Sequence, residues 1–362
     1  MRNKLLIGLL FFLNYEAFSQ TQDYLFKFND VLNAKYSIGY SKKRIDSKSK
    51  RNNAHHFLEI GYFINANNLL GNKDISYEII QNIIKSSTKK NGEYSWIVTD
   101  ISPNDRNFSQ KGKEFMLFEG YMFRYIAEFQ YLYPNKILED PSFVKEIFFK
   151  WYEKSNNSHG DASSLFGLRL HIGSHWATVA SYLTKLDPEN ASIYKGVIRK
   201  FDDQLRKSLK LIKINGKECY IWNSTYPDKF VNNLRKRNIE PRVQDVSHGN
   251  HIVQYVIDSY NLGLGKWNKK DLERFKNTLK YIIWRNKKQP SDFVNGSFNK
   301  KNGSHTGWKQ SDGWMKLMVI LNDKELFDIY DQYYKTHSNK VDKFYPNIQF
   351  FANMAAYQKN NK

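Results

Sequence analysis

One pattern constrains this chain more than any other. A long polar loop, an oily helix, a short turn and a charged helix follow one another about five or six times. Phe57, Ile60, Phe63, Ile64 and Leu69 fall at helical spacing before a stop at Gly71, and Ile79, Ile80, Ile83 and Ile84 mark a partner over 75–87. The next oily segment, 114–134, carries Phe115, Phe118, Met122, Tyr125, Ile126 and Phe129 and is apolar around much of its circumference, as an enclosed helix must be. Its partner spans 141–154. Oily 169–186 is stopped by Asp187-Pro188 and followed by charged 192–209. Oily 246–262 precedes charged 269–285, oily 313–321 precedes 323–336, and an apolar helix over 344–358 closes the chain. Between them, Asn215-Gly216 separates two alternating runs and predicts a hairpin over 210–222.

No unit of fixed length repeats, which excludes a consensus solenoid. Buried helices alternating with amphipathic ones predict an all-α fold: an (α/α) toroid of about five to six helix pairs with a minor β-hairpin. The oily helices form the inner ring, and the long loops and inner-helix starts gather at one mouth. An irregular helical solenoid is the alternative.

The ends and the charge narrow the setting. Arg2 and Lys4, then the apolar run LLIGLLFFL over 5–13, then Ala17-Phe18-Ser19 read as a secretory signal over 1–19. Nine apolar residues are too few to span a bilayer, which takes about twenty, so no stable membrane insertion is expected. Residues 20–54 are polar and read as a surface connector, leaving 55–362 as one catalytic domain. Cys219 is the only cysteine, so no intramolecular disulfide forms and the core must suffice. Losing the signal would take the net charge from +20 to +19. So basic a chain attracts polyanions. For a secreted or periplasmic protein that favours an acidic polysaccharide over nucleic acid as partner.

The polar residues worth attention cluster at the predicted mouth. The stretch RVQDVSHGNHIVQYVIDSYNLG, 242–263, begins polar and continues as an oily helix. Asp245 or Ser247 can cap it, which places His248, Asn250 and His251 in the first turn. His171 and His175 stand four apart at the start of another oily helix, followed by Trp176. That is a metal-binding spacing, but Ile172 stands where the HExxH motif has glutamate, so no metal or other cofactor is expected. Glu119 opens the 114–134 helix, and His305, Trp308, Lys309, Asp312 and Trp314 precede or open the fifth. Tryptophans suit sugar faces, and helix N-termini suit anions. Paired carboxylates for glycoside hydrolysis could come from Glu119, Asp245 and Asp312.

On export, basic charge, helix pairing and the DVSHGNH helix start, the chain resembles the bacterial α/α-toroid polysaccharide lyases that degrade uronate polymers such as alginate or glucuronan. The resemblance covers most of the chain as architecture and a few short motifs in detail. It implies β-elimination: a Tyr or His takes the C5 proton, Asn, Arg or His neutralises the carboxylate, and a Tyr returns a proton to the leaving oxygen. His248, Asn250 and His175 match as catalytic residues. His251, His171, Trp176, Glu119, His305, Trp308, Lys309 and Trp314 are the expected substrate-binding residues from their place at the mouth. With 24 tyrosines, none is singled out. A glycoside hydrolase of the same fold and a non-catalytic polyanion binder are the other readings.

Overall fold

The computed structural model describes residues 23–34, 41–90, 92–159, 162–227, 242–299, 305–344 and 347–361. The expected signal over 1–19 lies outside them. The described chain is mostly helical, with two small two-stranded antiparallel sheets.

Twelve helices of eight or more residues carry the fold. In chain order they are α1 (Tyr24–Asn33), α2 (Phe57–Leu70), α3 (Lys73–Ser86), α4 (Met116–Leu132), α5 (Phe143–His159), α6 (Leu170–Leu186), α7 (Ala191–Ser208), α8 (Val246–Asn261), α9 (Lys269–Thr278), α10 (Gly313–Ile320), α11 (Lys324–Asp342) and α12 (Asn347–Asn360). The even-numbered helices are the oily ones. α2 packs on α4, α4 on α6, α6 on α8, α8 on α10 and α10 on α12, and α12 returns to pack on α2. These contacts run in a closed cycle. α3, α5, α7, α9 and α11 each pack on one or two of these helices, as their one-sided apolar patterns require.

α1 adds a further helix to this arrangement. It packs on α12, and Tyr24, Phe28, Val31 and Leu32 are buried along one side. Tyr24 lies edge-on to Phe327 and Tyr334 and donates its hydroxyl to Asp331 at 2.7 Å. The expectation of a solvated connector over 20–54 is therefore corrected for 24–33. The rest of that stretch includes two single-turn helices, Lys42–Ile45 and Lys48–Arg51.

The hairpin stands where its turn residues put it. β3 (Lys210–Ile214) pairs with β4 (Lys217–Ile221), and Asn215 and Gly216 both take positive φ, 48° and 75°, as a type I′ turn demands. A second hairpin, β1 (Thr88–Lys90) with β2 (Glu93–Ser95), occupies part of what reads as loop. The close approach of α8 and α10 depends on Gly313: a Cβ there would collide with the backbone of Asn250 and Gln254. No helix among the described residues is long and apolar enough to cross a membrane.

Candidate functional site

The starts of α4, α6, α8 and α10 converge on a cluster of imidazoles. Asp245 caps α8, its Oδ1 accepting the His248 N–H at 2.9 Å. The same carboxylate receives the ring: His248 Nδ1 is 2.9 Å from both Oδ1 and Oδ2. This fixes the tautomer. Nδ1 carries the hydrogen, and Nε2 is left as an acceptor on a side chain 31% exposed. The ring packs against His171, centroids 4.3 Å apart.

Arginines surround this outer pair. Arg169 precedes α6 and donates to Ser224 Oγ at 2.6 Å, and Arg242 is held opposite by Ser224 N–H donating to its carbonyl at 2.7 Å. Burial and the like charge of Arg242 press the Arg169 guanidinium below its usual value, with Asp245 pulling the other way. Neither arginine has an ion pair with a described residue. Burial, then His248, His251, Arg169 and Arg106, hold His171 well below the ordinary imidazole range. His171 is therefore neutral at pH 7 and adds no charge to the wall.

A second layer lies beneath. His251 Nδ1 donates to Asp312 Oδ2 at 2.7 Å, and Tyr62 OH stands 3.4 Å from His251 Nε2. Arg124 Nη2 donates to the same Asp312 oxygen at 2.9 Å, and Tyr125 OH donates to its other oxygen at 2.9 Å. Burial alone would raise the Asp312 carboxyl, but Arg124 and His251 outweigh it and hold it at about 2. Burial and Arg124 bring His251 down to about 4 against the pull of Asp312. The layer thus keeps one buried carboxylate, one guanidinium and a neutral imidazole. Asp245–His248 above and Asp312–His251 below are two Asp–His pairs whose imidazoles stand three residues apart on α8.

Several expected site residues take other work. His175 is fully enclosed, its ring 4.1 Å from Tyr121 and 4.8 Å from His251, and neither ring nitrogen has a hydrogen-bond partner. It does not face the mouth as a catalytic group. Asn250 is buried, and its Oδ1 accepts the Trp314 N–H at 3.0 Å, so it ties α8 to α10. Glu119 is corrected as well. It is fully buried and points outward to α5, where Lys150 (2.9 Å) and Trp151 Nε1 (2.6 Å) bind its carboxylate. Trp176 and Trp314 are fully buried and serve the core rather than a sugar face; the Trp314 indole donates to Val246 O at 3.0 Å.

His305 and Trp308 line a groove whose other residues come from 286–290 and 332–340. Asp292 receives His305 Nδ1 at 3.1 Å, and Lys309 lies over the Trp308 and Phe344 rings. Sequence reasoning missed Tyr62, Tyr121, Arg124 and Arg169. Tyr62, Tyr121 and Arg124 sit on oily helices with no local mark of function.

No family model, characterised protein or solved structure matches the chain. The chemistry therefore rests on the site alone. Among the described residues no group of three or more His, Cys, Asp or Glu is placed to hold a metal ion. The acids near the mouth are already engaged: Asp245 by His248, Asp312 by Arg124, and Glu119 by Lys150.

Proposed function

We propose that the cyclic order of the even-numbered helices is an (α/α) toroid of a secreted protein, and that its mouth cleaves an anionic, uronate-containing polysaccharide by β-elimination. The observation that carries this reading is His248: a partly exposed imidazole oriented by Asp245, with Nε2 unengaged and arginines beside it unpaired with any acid among the described residues.

Nε2 of His248 takes the proton from C5 of the uronate. The C5–H electrons become the C4–C5 double bond, the C4–O bond breaks, and its electrons leave on the oxygen. That oxygen needs a proton. Tyr62, whose hydroxyl stands 3.4 Å from His251 Nε2, supplies it. Arg124, close enough to feel a charge on Tyr62, offsets the phenolate that results. Negative charge also develops on the uronate carboxylate as the C5 proton departs. Arg169 and Arg242 neutralise it, and fixed donors of this kind supply much of such catalysis. His175 and Tyr121 hold the second layer in place rather than touch substrate.

A glycoside hydrolase needs two free carboxyl groups at a defined separation. Asp245, Asp312 and Glu119 are each bound to a cation, an imidazole or both, which favours elimination. Incubation with a panel of uronate polymers separates the readings. Elimination yields products with ultraviolet absorbance from the new double bond. New reducing ends without that absorbance point to a hydrolase. Intact polymer, with binding that weakens steeply as salt rises, points to a polyanion binder.

A further inference from the structure

α11 departs from helical geometry at His337, with φ −132° and ψ 32°. Beside this kink, a groove of about 830 Å³ opens between the end of α11 and residues 286–290. Its floor is aromatic. The Trp308 indole donates to His305 O at 3.1 Å and meets Phe344 edge-on at 4.6 Å, so the ring is fixed. Tyr333 stacks on His337 with centroids 4.5 Å apart. Its rim is cationic. Lys287, Lys288 and Lys340 line it, and of these only Lys287 has an acid within ion-pair range among the described residues, Glu325 at 3.7 Å. Lys288 and Lys340 are exposed and face the groove without a carboxylate partner.

Fixed aromatic faces with unpaired ammonium groups above them match one ligand chemistry: a chain of sugar rings bearing carboxylate or sulfate. The rings stack on Trp308 and on His337, which Tyr333 backs, while their anionic groups reach the lysines. We propose that this groove is a second, non-catalytic binding site for an anionic polysaccharide. It goes beyond the elimination reading and does not depend on it, because binding here needs no chemistry at the mouth.

The test measures binding alone on the full chain. Its probes are polygalacturonate, dextran sulfate, neutral dextran and oligothymidylate. The variants are Lys288→Ala/Lys340→Ala and, as a control with the same charge change on α3, Lys73→Ala/Lys85→Ala. The expected result is binding of at least one charged glycan, none of neutral dextran, and a loss of about fivefold or more in the groove variant only. Unchanged melting of that variant is expected, since exposed lysines hold little of the core. Three results overturn the proposal: equal affinity in the groove variant and the wild type, no binding of either charged glycan, or tighter binding of oligothymidylate than of the glycans. Turnover does not enter the measurement, so a failure of the elimination reading leaves its outcome clear.

Discussion

The Asp245 carboxylate holds two parts of His248 at once: the backbone N–H at 2.9 Å and the ring Nδ1 at 2.9 Å. One side chain thus starts α8 and orients its partly exposed imidazole. Asn caps a helix about as well as Asp but cannot take the Nδ1 hydrogen on both atoms or stabilise an imidazolium. Asp245→Asn is therefore expected to melt within a few degrees of wild type while elimination slows about tenfold or more. Asp245→Ala should lose the cap as well, at about 1 kcal/mol. Denaturant melts and initial rates on both variants check this.

Tyr62 meets His251 at 3.4 Å, a long hydrogen bond that contributes little to stability. Tyr62→Phe keeps the ring and removes the proton. Turnover should fall roughly a hundredfold, as for loss of a general acid, with the melting temperature nearly unchanged. Wild-type turnover in this variant would remove Tyr62 from the mechanism and leave the leaving oxygen to another donor.

Asp312 and Arg124 form a fully buried pair. Removing one partner strands the other charge without water, at about 3–5 kcal/mol. Asp312→Ala should therefore unfold at markedly lower denaturant. Replacing both partners with apolar residues of similar volume should recover much of that loss. A double-mutant cycle in urea measures it.

Acid should destabilise the protein chiefly through its buried histidines. His251 is lowered to about 4, and His171 and His175 lie well below 6.5. The unfolded chain binds those protons more readily. The stability they contribute is complete above about pH 6.5 and is lost as pH falls towards 4. Asp258 runs the other way over part of this window, because burial raises it to about 6. Burial raises Glu119, Asp202 and Asp342 as well, while His56, brought down to about 4 by burial and Lys50, adds to the histidines. Melting temperature should drop between pH 7 and pH 4.5, and replacing His175 with Phe should lessen the drop.

Much of this architecture could be read from the chain because oily and charged helices alternate, and helical periodicity needs only local neighbours. The cap at Asp245 and the turn at Asn215-Gly216 are local for the same reason. α1 hid because Leu25 and Phe26, which the fold leaves exposed, blur the spacing of Tyr24, Phe28 and Val31 within a polar stretch. The site was legible only at its rim. Glu119 shares a helix start with the mouth, but its phase around α4 turns it to Lys150 on α5, and phase against a distant helix is not a local property. The pairing of Arg124 with Asp312 joins residues 188 apart, and nothing near either one announces it. Trp176 and Trp314 carry the composition of a sugar platform, yet close packing of the even-numbered helices encloses both.

The most direct test of the proton-abstraction claim is His248→Ala, with melting and ultraviolet-detected elimination measured on one preparation with a polymer that the wild type cleaves. His248 is partly exposed, so its removal should leave the melting temperature within a degree or two while turnover falls roughly a hundredfold or more. A variant that melts several degrees lower, with the turnover of its folded fraction intact, would contradict the account and make His248 a structural residue.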